Sequence, residues 1–311
     1  MQMSLHFSKA VARCGATLVA AALFGMAFVA NLSADPYASP WITGKKSAAR
    51  LIVAAQAPVE GVFRAGVEVR LDAGSHTYWR TPGDAGAAPV FVFDSSENIA
   101  GVKVLYPIPT RIDEAGLDAF GYSGEVTFPL LVTVKDAARP ALLALRLQYA
   151  VCGKICLPVT ADIQLPLSTR PDEGASIPQQ TSITAAETRV PLRLTPAERD
   201  AKVAVKRDEQ AEKPTWRMSL REDAHVAGEP ESAKLDLFAE APEGWYFETK
   251  KGDRPNEFLI VEVERPKLDS AGAVPVTLTL AQPGQSYEFA IDLEADSRTP
   301  LASPPPTAKT E

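Results

Sequence analysis

Two cysteines near the middle of the chain have the residue type and spacing best suited to chemistry. Cys152 and Cys156 are separated by three residues, Gly153-Lys-Ile155, and strand-like segments flank the pair. This spacing fits a short hairpin loop, in which Gly153 is available for a positive φ and the Cα atoms come within the ~4.4–6.8 Å that a disulfide needs. The ring is small, so its loop-entropy contribution to stability is at the low end of the usual range. Lys154 would favour the thiolate and speed exchange.

The spacing alone leaves three interpretations of this pair open. A redox-active disulfide and a static hairpin staple fit it about equally well. A Cu(I)-binding pair is weaker, because no histidine and no nearby methionine completes a ligand set, and His76 stands alone in the sequence. The pair also differs from the helical Cys-x-x-Cys of thioredoxin folds, where a helix N-terminus activates the thiol. No cofactor and no metal is predicted.

The N-terminal segment 1–34 is typical of a secretory signal peptide. Lys9 and Arg13 precede an apolar run from Ala16 to Ala30. Removal of this segment also removes Cys14, and leaves two cysteines and 30 basic residues against 39 acidic ones, a net charge of about −9. Export would place the remaining cysteines where disulfides persist and exchange. The alternative is an uncleaved anchor, although the run is shorter than the ~20 residues of a membrane span.

Length and composition exclude several classes of protein. The 311 residues suit two modest domains, and a hydrophobic fraction of 46% excludes a largely disordered chain. The only long apolar run is N-terminal, so a polytopic membrane protein is excluded and no transmembrane span is expected after signal removal. The acidic balance argues against nucleic-acid binding. Neither a Ser-His-Asp arrangement nor a phosphate-binding glycine loop is present.

Alternating apolar and polar residues predict short strands along two parts of the chain. We expect an antiparallel β-sandwich over residues 41–168 and a second, smaller β domain over residues 190–295. Turns between the strands are predicted at several positions, among them Pro82-Gly83 and Gly121 to Gly124.

Three further segments connect or follow the two β regions. Residues 169–189 are polar and weakly patterned, and they predict a linker. A short helix should lead the second domain, since Thr195-Pro196-Ala197-Glu198 combines a capping box with proline at the first helical position, and it is expected to run to about Ala211. Residues 296–311, which contain three consecutive prolines, predict a disordered tail.

Three motifs in combination resemble the periplasmic N-terminal domain of DsbD/ScsB-type thiol–disulfide reductases. They are Tyr149-x-x-Cys152-x-x-x-Cys156-x-Pro158, His76-Thr-Tyr-Trp79-Arg80-x-Pro82-Gly83-Asp84-x-Gly86 and Phe120-Gly-Tyr122-x-Gly124-x-Val126. The resemblance covers about residues 41–168 and extends more loosely into the second β region. It implies an immunoglobulin-like fold whose cysteine pair takes electrons from a membrane-embedded donor and passes them to oxidised periplasmic proteins.

The resemblance also implies roles for individual residues. Cys152 and Cys156 match the redox pair, and either could be the attacking residue. Phe120, with Tyr122 beside it, falls in the region of a cap loop that shields the pair from stray oxidation, and an ordinary core position for Phe120 fits the sequence about equally well.

Charged residues near the pair carry a second implied role. Asp118 matches an acidic residue beside the active site and, with Lys154, would tune the cysteines electrostatically. Ala119 stands where the family often has a second acid. Full-length members continue into membrane helices and a thioredoxin-like domain that this sequence does not include, so a separate donor of the DsbD/ScsB type is the expected partner.

Two functions follow from these observations. The first is a soluble periplasmic thiol–disulfide exchange protein that passes electrons through the cysteine pair to oxidised partners, with protein-disulfide reductase as the enzyme class if it is an enzyme. The alternative is a non-catalytic immunoglobulin-like binding module with a structural disulfide, an accessory of cytochrome maturation or copper tolerance.

Overall fold

A computed structural model describes residues 35–55, 57–168, 178–221, 235–266 and 272–294. The predicted signal peptide over residues 1–34, the predicted tail over residues 296–311 and residues 169–177 of the predicted linker lie outside this part of the chain. Within it, the helices are too short or too polar to cross a membrane.

The first β region consists of strands that are paired throughout in antiparallel fashion. Its strands are β1 (Ile42–Gly44), β2 (Ser47–Val53), β3 (Val62–Leu71), β4 (His76–Gly83), β5 (Val90–Val92), β6 (Ile99–Val104), β7 (Thr110–Glu114), β8 (Leu117–Ser123), β9 (Glu125–Val134), β10 (Ala141–Val151) and β11 (Leu157–Leu167). The sheets β1-β2-β3-β9-β6 and β11-β10-β5 share one apolar core, and β4-β8-β7 forms a third, smaller sheet.

Side-chain alternation explains the main sheets of this region. Along β11, buried and exposed residues alternate over almost the whole strand, because one face lies on the core and the other faces solvent. β3 and β9 lie inside the five-stranded sheet and carry longer buried runs. The mainly β, antiparallel class predicted from the sequence is confirmed.

Residues of two predicted turns lie partly in strands. Pro82-Gly83 ends β4, and Gly121 lies inside β8 opposite Tyr78, whereas Gly124, which has a positive φ, separates β8 from β9 as predicted. A Cβ atom on Gly121 would lie 2.0 Å from the carbonyl oxygen of Thr77. This glycine therefore permits the close approach of two strands rather than a change of chain direction.

The second β region forms a smaller sandwich. Its strands are β12 (Leu192–Arg193), β13 (Val203–Arg207), β14 (Thr215–Leu220), β15 (Asp236–Glu240), β16 (Tyr246–Lys251), β17 (Glu257–Glu264), β18 (Ala273–Ala281) and β19 (Tyr287–Glu294). The sheets β12-β19-β18-β15 and β13-β14-β17-β16 enclose a separate apolar core. The short pairing of β12 with β19 is parallel.

Two helices lie between the main strands of the two β regions in the sequence. α1 (Pro178–Glu187) lies within the segment predicted as a linker. Only three of its ten residues are buried, and the sequence therefore carries little of the apolar pattern that predicts a helix. α2 (Pro196–Lys202) begins with the predicted capping box at Thr195. It ends before Ala211 because Val203 begins β13 and pairs with Leu220.

An aromatic contact joins the two β regions. Phe238, on β15 of the second region, is fully buried and belongs to the apolar core of the first. Its ring centroid lies 4.9 Å from that of Phe120 on β8 and 5.7 Å from that of Trp79 on β4. The second region therefore packs directly against the small sheet β4-β8-β7.

Ion pairs surround this aromatic contact. The Arg80 guanidinium on β4 binds the carboxylates of Glu240 and Glu288. The Arg111 guanidinium on β7 binds Asp236 at 2.9 and 3.2 Å and also pairs with Asp118. Since these groups are only partly exposed, the pairs are less screened by water than surface pairs and orient the two regions.

Candidate functional site

The two cysteines lie in the loop that joins β10 to β11. These strands pair residue by residue up to Val151 and Leu157, so the loop spans residues 152–156. Cys152 and Cys156 form a disulfide with Cα atoms 4.0 Å apart. Cys152 is only 1% exposed, whereas Cys156 is exposed. One sulfur-bearing residue is therefore at the surface and the other is inside.

Gly153 serves a different purpose from the one predicted. It is not among the glycines with positive φ. A Cβ atom at this position would instead lie 3.0 Å from the carbonyl oxygen of Gly74, in the turn between β3 and β4. Glycine is needed here because the cysteine loop packs closely against that turn.

β4 places His76 directly beside the disulfide. The backbones of His76 and Cys152 exchange two hydrogen bonds, of 2.8 and 2.9 Å, as an isolated antiparallel bridge. Residues opposed in this way project their side chains from the same face. The hydroxyl of Thr77 also donates to the carbonyl of Ala150 at 2.8 Å, which fixes β4 against the end of β10.

A carboxylate on β7 completes a polar cluster next to the sulfurs. Glu114 accepts hydrogen bonds from the Tyr78 hydroxyl at 2.8 and 3.0 Å, and its Oε1 lies 2.6 Å from Nε2 of His76. The same Tyr78 hydroxyl lies 3.7 Å from Sγ of Cys156. A ring nitrogen of His76, a carboxylate oxygen of Glu114 and the sulfur of Cys152 lie within 4.8 Å of one another. We call His76, Tyr78, Glu114 and the disulfide the sulfur cluster.

Tyr78 is the hydrogen-bond donor of this cluster. Its side chain is fully buried and packs in a small apolar group with Ala119 and Cys152. Burial and the hydrogen bond to Glu114 raise the pKa of Tyr78 well above its ordinary value, so the hydroxyl keeps its proton at neutral pH. Gly86 lies against the ring, and a Cβ atom there would be 2.1 Å from Cε1 of Tyr78.

The two residues predicted to cap the disulfide lie in the main core. Phe120 is 5% exposed and contacts Phe238 and the Arg111 guanidinium, which is 5.0 Å from its ring centroid. Tyr122 is buried, donates its hydroxyl to the carbonyl of Pro107 at 2.7 Å and packs on Phe128. Both belong to the core cluster of the first region and not to the small group that contains Cys152. A shielding role for them stays a prediction.

The two charged residues predicted to tune the cysteines lie in different places. The carboxylate of Asp118 pairs with Arg111 at the contact with the second region. Lys154 is exposed within the cysteine loop. Of the acids described here, Glu114 is the one that shares hydrogen bonds with His76 and Tyr78.

Sequence reasoning missed three members of the sulfur cluster. His76 does not stand alone, because both it and Tyr78 contact Glu114. The period-two spacing of these two residues was an available signal, because residues i and i+2 of a strand share a face. Glu114 had no such signal. It is placed by the hairpin of β7 and β8, whose two turn residues, Ala115 and Gly116, both have positive φ.

Comparison with known proteins supports the family resemblance for part of the chain. Residues 48–168 match the family model described as thiol:disulfide interchange protein DsbD, N-terminal. Among curated proteins, no match was found.

One solved structure shows the same fold over a longer stretch. The N-terminal periplasmic domain of ScsB from Proteus mirabilis matches with a TM-score of 0.62 and 19% sequence identity, covering 84% of this chain and 99% of that chain. At this identity the similarity shows the fold, and it includes the second β region. A structure of manganese lipoxygenase from Gaeumannomyces graminis with part of zonadhesin from Komagataella pastoris gives a TM-score of 0.20 at 10% identity, over 74% of this chain and 86% of that chain. So low a score carries no argument.

Proposed function

Because residues 48–168 match the model of the DsbD N-terminal domain, we propose that this protein passes electrons to oxidised partner proteins through Cys152 and Cys156. The observation that carries the proposal is the disulfide itself, which joins an exposed residue to a buried one in a loop beside a polar cluster. The electron donor would be a membrane-embedded protein of the DsbD/ScsB type, and the compartment the periplasm.

Cys156 is the attacking residue in this proposal, because a partner's sulfur can approach it from solvent. In the reduced protein, the Cys156 thiolate attacks one sulfur of the partner's disulfide, and the other partner sulfur leaves as a thiolate. The product is a mixed disulfide between Cys156 and the partner. The Tyr78 hydroxyl, 3.7 Å from Sγ of Cys156, can turn its single proton from Glu114 to the thiolate and donate a hydrogen bond to it.

Cys152 completes the exchange from the buried side. It loses its proton and attacks Sγ of Cys156, which restores the internal disulfide and releases the second partner sulfur as a thiolate. Two electrons thereby pass to the partner. Glu114 has an oxygen within 4.8 Å of the sulfur of Cys152 and can accept the proton through one intervening water or after a small movement. The donor's dithiol reverses the sequence and reduces the pair again.

A purely structural disulfide is less well supported. The hairpin of β10 and β11 is already held by continuous antiparallel pairing from Ala141 and Leu167 to Val151 and Leu157. A bond across the five-residue loop closes a small ring, so it adds little stability through loop entropy. The disulfide is therefore better explained by its reactivity than by its contribution to the stability of the hairpin.

Trapping with single-cysteine variants tests the proposal. Cys152→Ser leaves Cys156 without a resolving partner, so it should accumulate mixed disulfides with periplasmic proteins, which a non-reducing gel followed by mass spectrometry identifies. Cys156→Ser is the matched control and should trap far less, because its remaining thiol is buried. The reverse ranking would overturn the assignment of roles.

The reduction potential gives an independent measurement. Equilibration of the full chain with a dithiothreitol series should give a reduction potential above about −300 mV. Structural disulfides usually have potentials below that value. A lower value, together with no trapped partner for either variant, would contradict the exchange function.

A further inference from the structure

We propose that, once the disulfide is reduced, His76, Glu114, Cys152 and Cys156 form a binding site for Zn²⁺. Thiolate sulfur, imidazole nitrogen and carboxylate oxygen are the three kinds of ligand that zinc takes from proteins, usually four at a time in a tetrahedron. The sulfur cluster brings all three kinds together at one end of the first β region.

The distances leave only a small movement to close the site. One ligand atom each from His76, Glu114 and Cys152 already lie within 4.8 Å of one another. Zinc–ligand bonds of about 2.0–2.3 Å place tetrahedral ligands roughly 3–4 Å apart. The His76 and Glu114 atoms, now 2.6 Å apart, would move apart by less than about 1 Å, and the Cys152 sulfur would move towards them by up to about 1 Å.

Cys156 supplies the fourth ligand. It is bonded to Cys152, so reduction leaves its sulfur next to the same point. Three residues separate the two cysteines, within the two-to-four-residue spacing common in zinc sites. Because Cys156 is exposed, the ion can enter from solvent although Cys152 is buried.

The backbone holds the ligands in place before any ion arrives. The two hydrogen bonds between His76 and Cys152 fix these residues as directly opposed neighbours. The side chains of His76 and Glu114 are only 10% and 17% exposed, so neither is free to swing into solvent. Their polar atoms are 2.6 Å apart, and the cation would take the place of the hydrogen bond between them.

The ligand set also selects the ion and makes its binding depend on redox state. Two thiolates with an imidazole and a carboxylate suit Zn²⁺, whereas Cu(I) is selected by soft thiolate and thioether ligands and gains little from the carboxylate. Binding displaces the protons of the two thiols and transfers no electrons. In the disulfide form both sulfurs are bonded to each other, so the site exists only in the reduced protein. Bound zinc would then withhold the thiols from exchange.

Zinc titration of the full chain tests the site. Protein reduced with a phosphine and protein with its disulfide intact are titrated with ZnCl₂ in competition with a chromophoric chelator, without any partner protein. The reduced form should bind one Zn²⁺ per chain at least about 100-fold more tightly than the oxidised form. Equal affinity of the two forms would overturn the proposal, and that result is independent of whether the pair exchanges with partners.

Variants show whether the polar ligands take part. His76→Gln and Glu114→Gln should each weaken zinc binding by the reduced protein at least about 10-fold, the loss typical of altered metal-site residues. Glu125→Gln, at an exposed carboxylate that pairs with Arg70, should change it less than about twofold. Affinity within twofold of the wild type in both cluster variants would leave binding to the thiols alone and refute the four-ligand site.

Cobalt provides a spectroscopic signature that does not depend on the variants folding. Co²⁺ bound to the reduced wild-type chain should show thiolate-to-metal charge transfer and the intense visible bands of tetrahedral coordination. Weak bands of an octahedral ion would contradict the ligand set. Circular dichroism of each variant identifies any loss of fold, and the comparison of reduced and oxidised wild type then decides.

Discussion

Truncation of Phe238 to alanine should destabilise the protein and loosen the sulfur cluster, although Phe238 lies in the second β region. Its side chain is fully buried in the core of the first region and contacts Trp79 and Phe120. Each of these residues is next in sequence to a member of the small group around Cys152: Trp79 follows Tyr78, and Phe120 follows Ala119. Loss of the ring therefore removes support from the far side of β4 and β8.

The size of the effect follows from burial and contact. Replacing a buried phenylalanine with alanine costs about 3–5 kcal/mol, which combines the lost transfer free energy with that of the cavity. The two aromatic contacts are each worth about 0.5–1.5 kcal/mol beyond area burial. We therefore expect a loss in the upper half of the range, about 4–5 kcal/mol.

Urea denaturation, monitored by tryptophan fluorescence, measures this loss of stability. A second measurement, the rate at which dithiothreitol reduces the disulfide in native buffer, reports on the sulfur cluster. Phe258→Ala is the matched control, because Phe258 is 1% exposed but lies in the second region's own core. It should lower stability to a similar extent and leave the reduction rate near that of the wild type, whereas Phe238→Ala should raise the rate several-fold. A stability loss below about 1 kcal/mol for Phe238→Ala, or equal reduction rates in the two variants, would refute the reasoning.

Two further predictions concern the packing and titration of Tyr78. Gly86→Ala should destabilise the protein more than Gly74→Ala and should speed reduction of the disulfide. Both glycines have a positive φ, but only at Gly86 would a Cβ atom meet the Tyr78 ring. Equal losses of stability in urea denaturation would count against this prediction. The raised pKa of Tyr78 means that its titration leaves stability intact below about pH 10 and lowers it as the pH rises from there towards the folded-state pKa. The unfolding free energy of Tyr78→Phe should therefore fall less steeply above pH 10 than that of the wild type, and identical slopes would contradict this.

The elements that were predictable from the sequence are those with a local signal. β10 and β11 alternate in burial over long stretches, and the capping box at Thr195 begins α2 as expected. The strands of the small sheet were obscured by Gly83 and Gly121, which suggest turns. Each glycine in fact lies where another strand's backbone passes within van der Waals distance, and a sequence does not show which strand that is.

The sequence by itself determined the cysteine hairpin. Its two signals, a loop of three residues between the cysteines and an alternating segment on each side, are both local in the sequence. It also determined the mainly β class. Tertiary structure alone decided what surrounds the disulfide. His76 and Glu114 lie 38 residues apart and meet only because β4 and β7 flank β8.

The same holds for the role of Phe120, which the sequence suggested as a cap and the structure places against Phe238. These two residues are far apart in the chain, and their contact depends on how the second β region packs on the first. Long-range contacts of this kind are fixed by the burial of apolar surface between whole sheets, so no spacing along the chain reveals them.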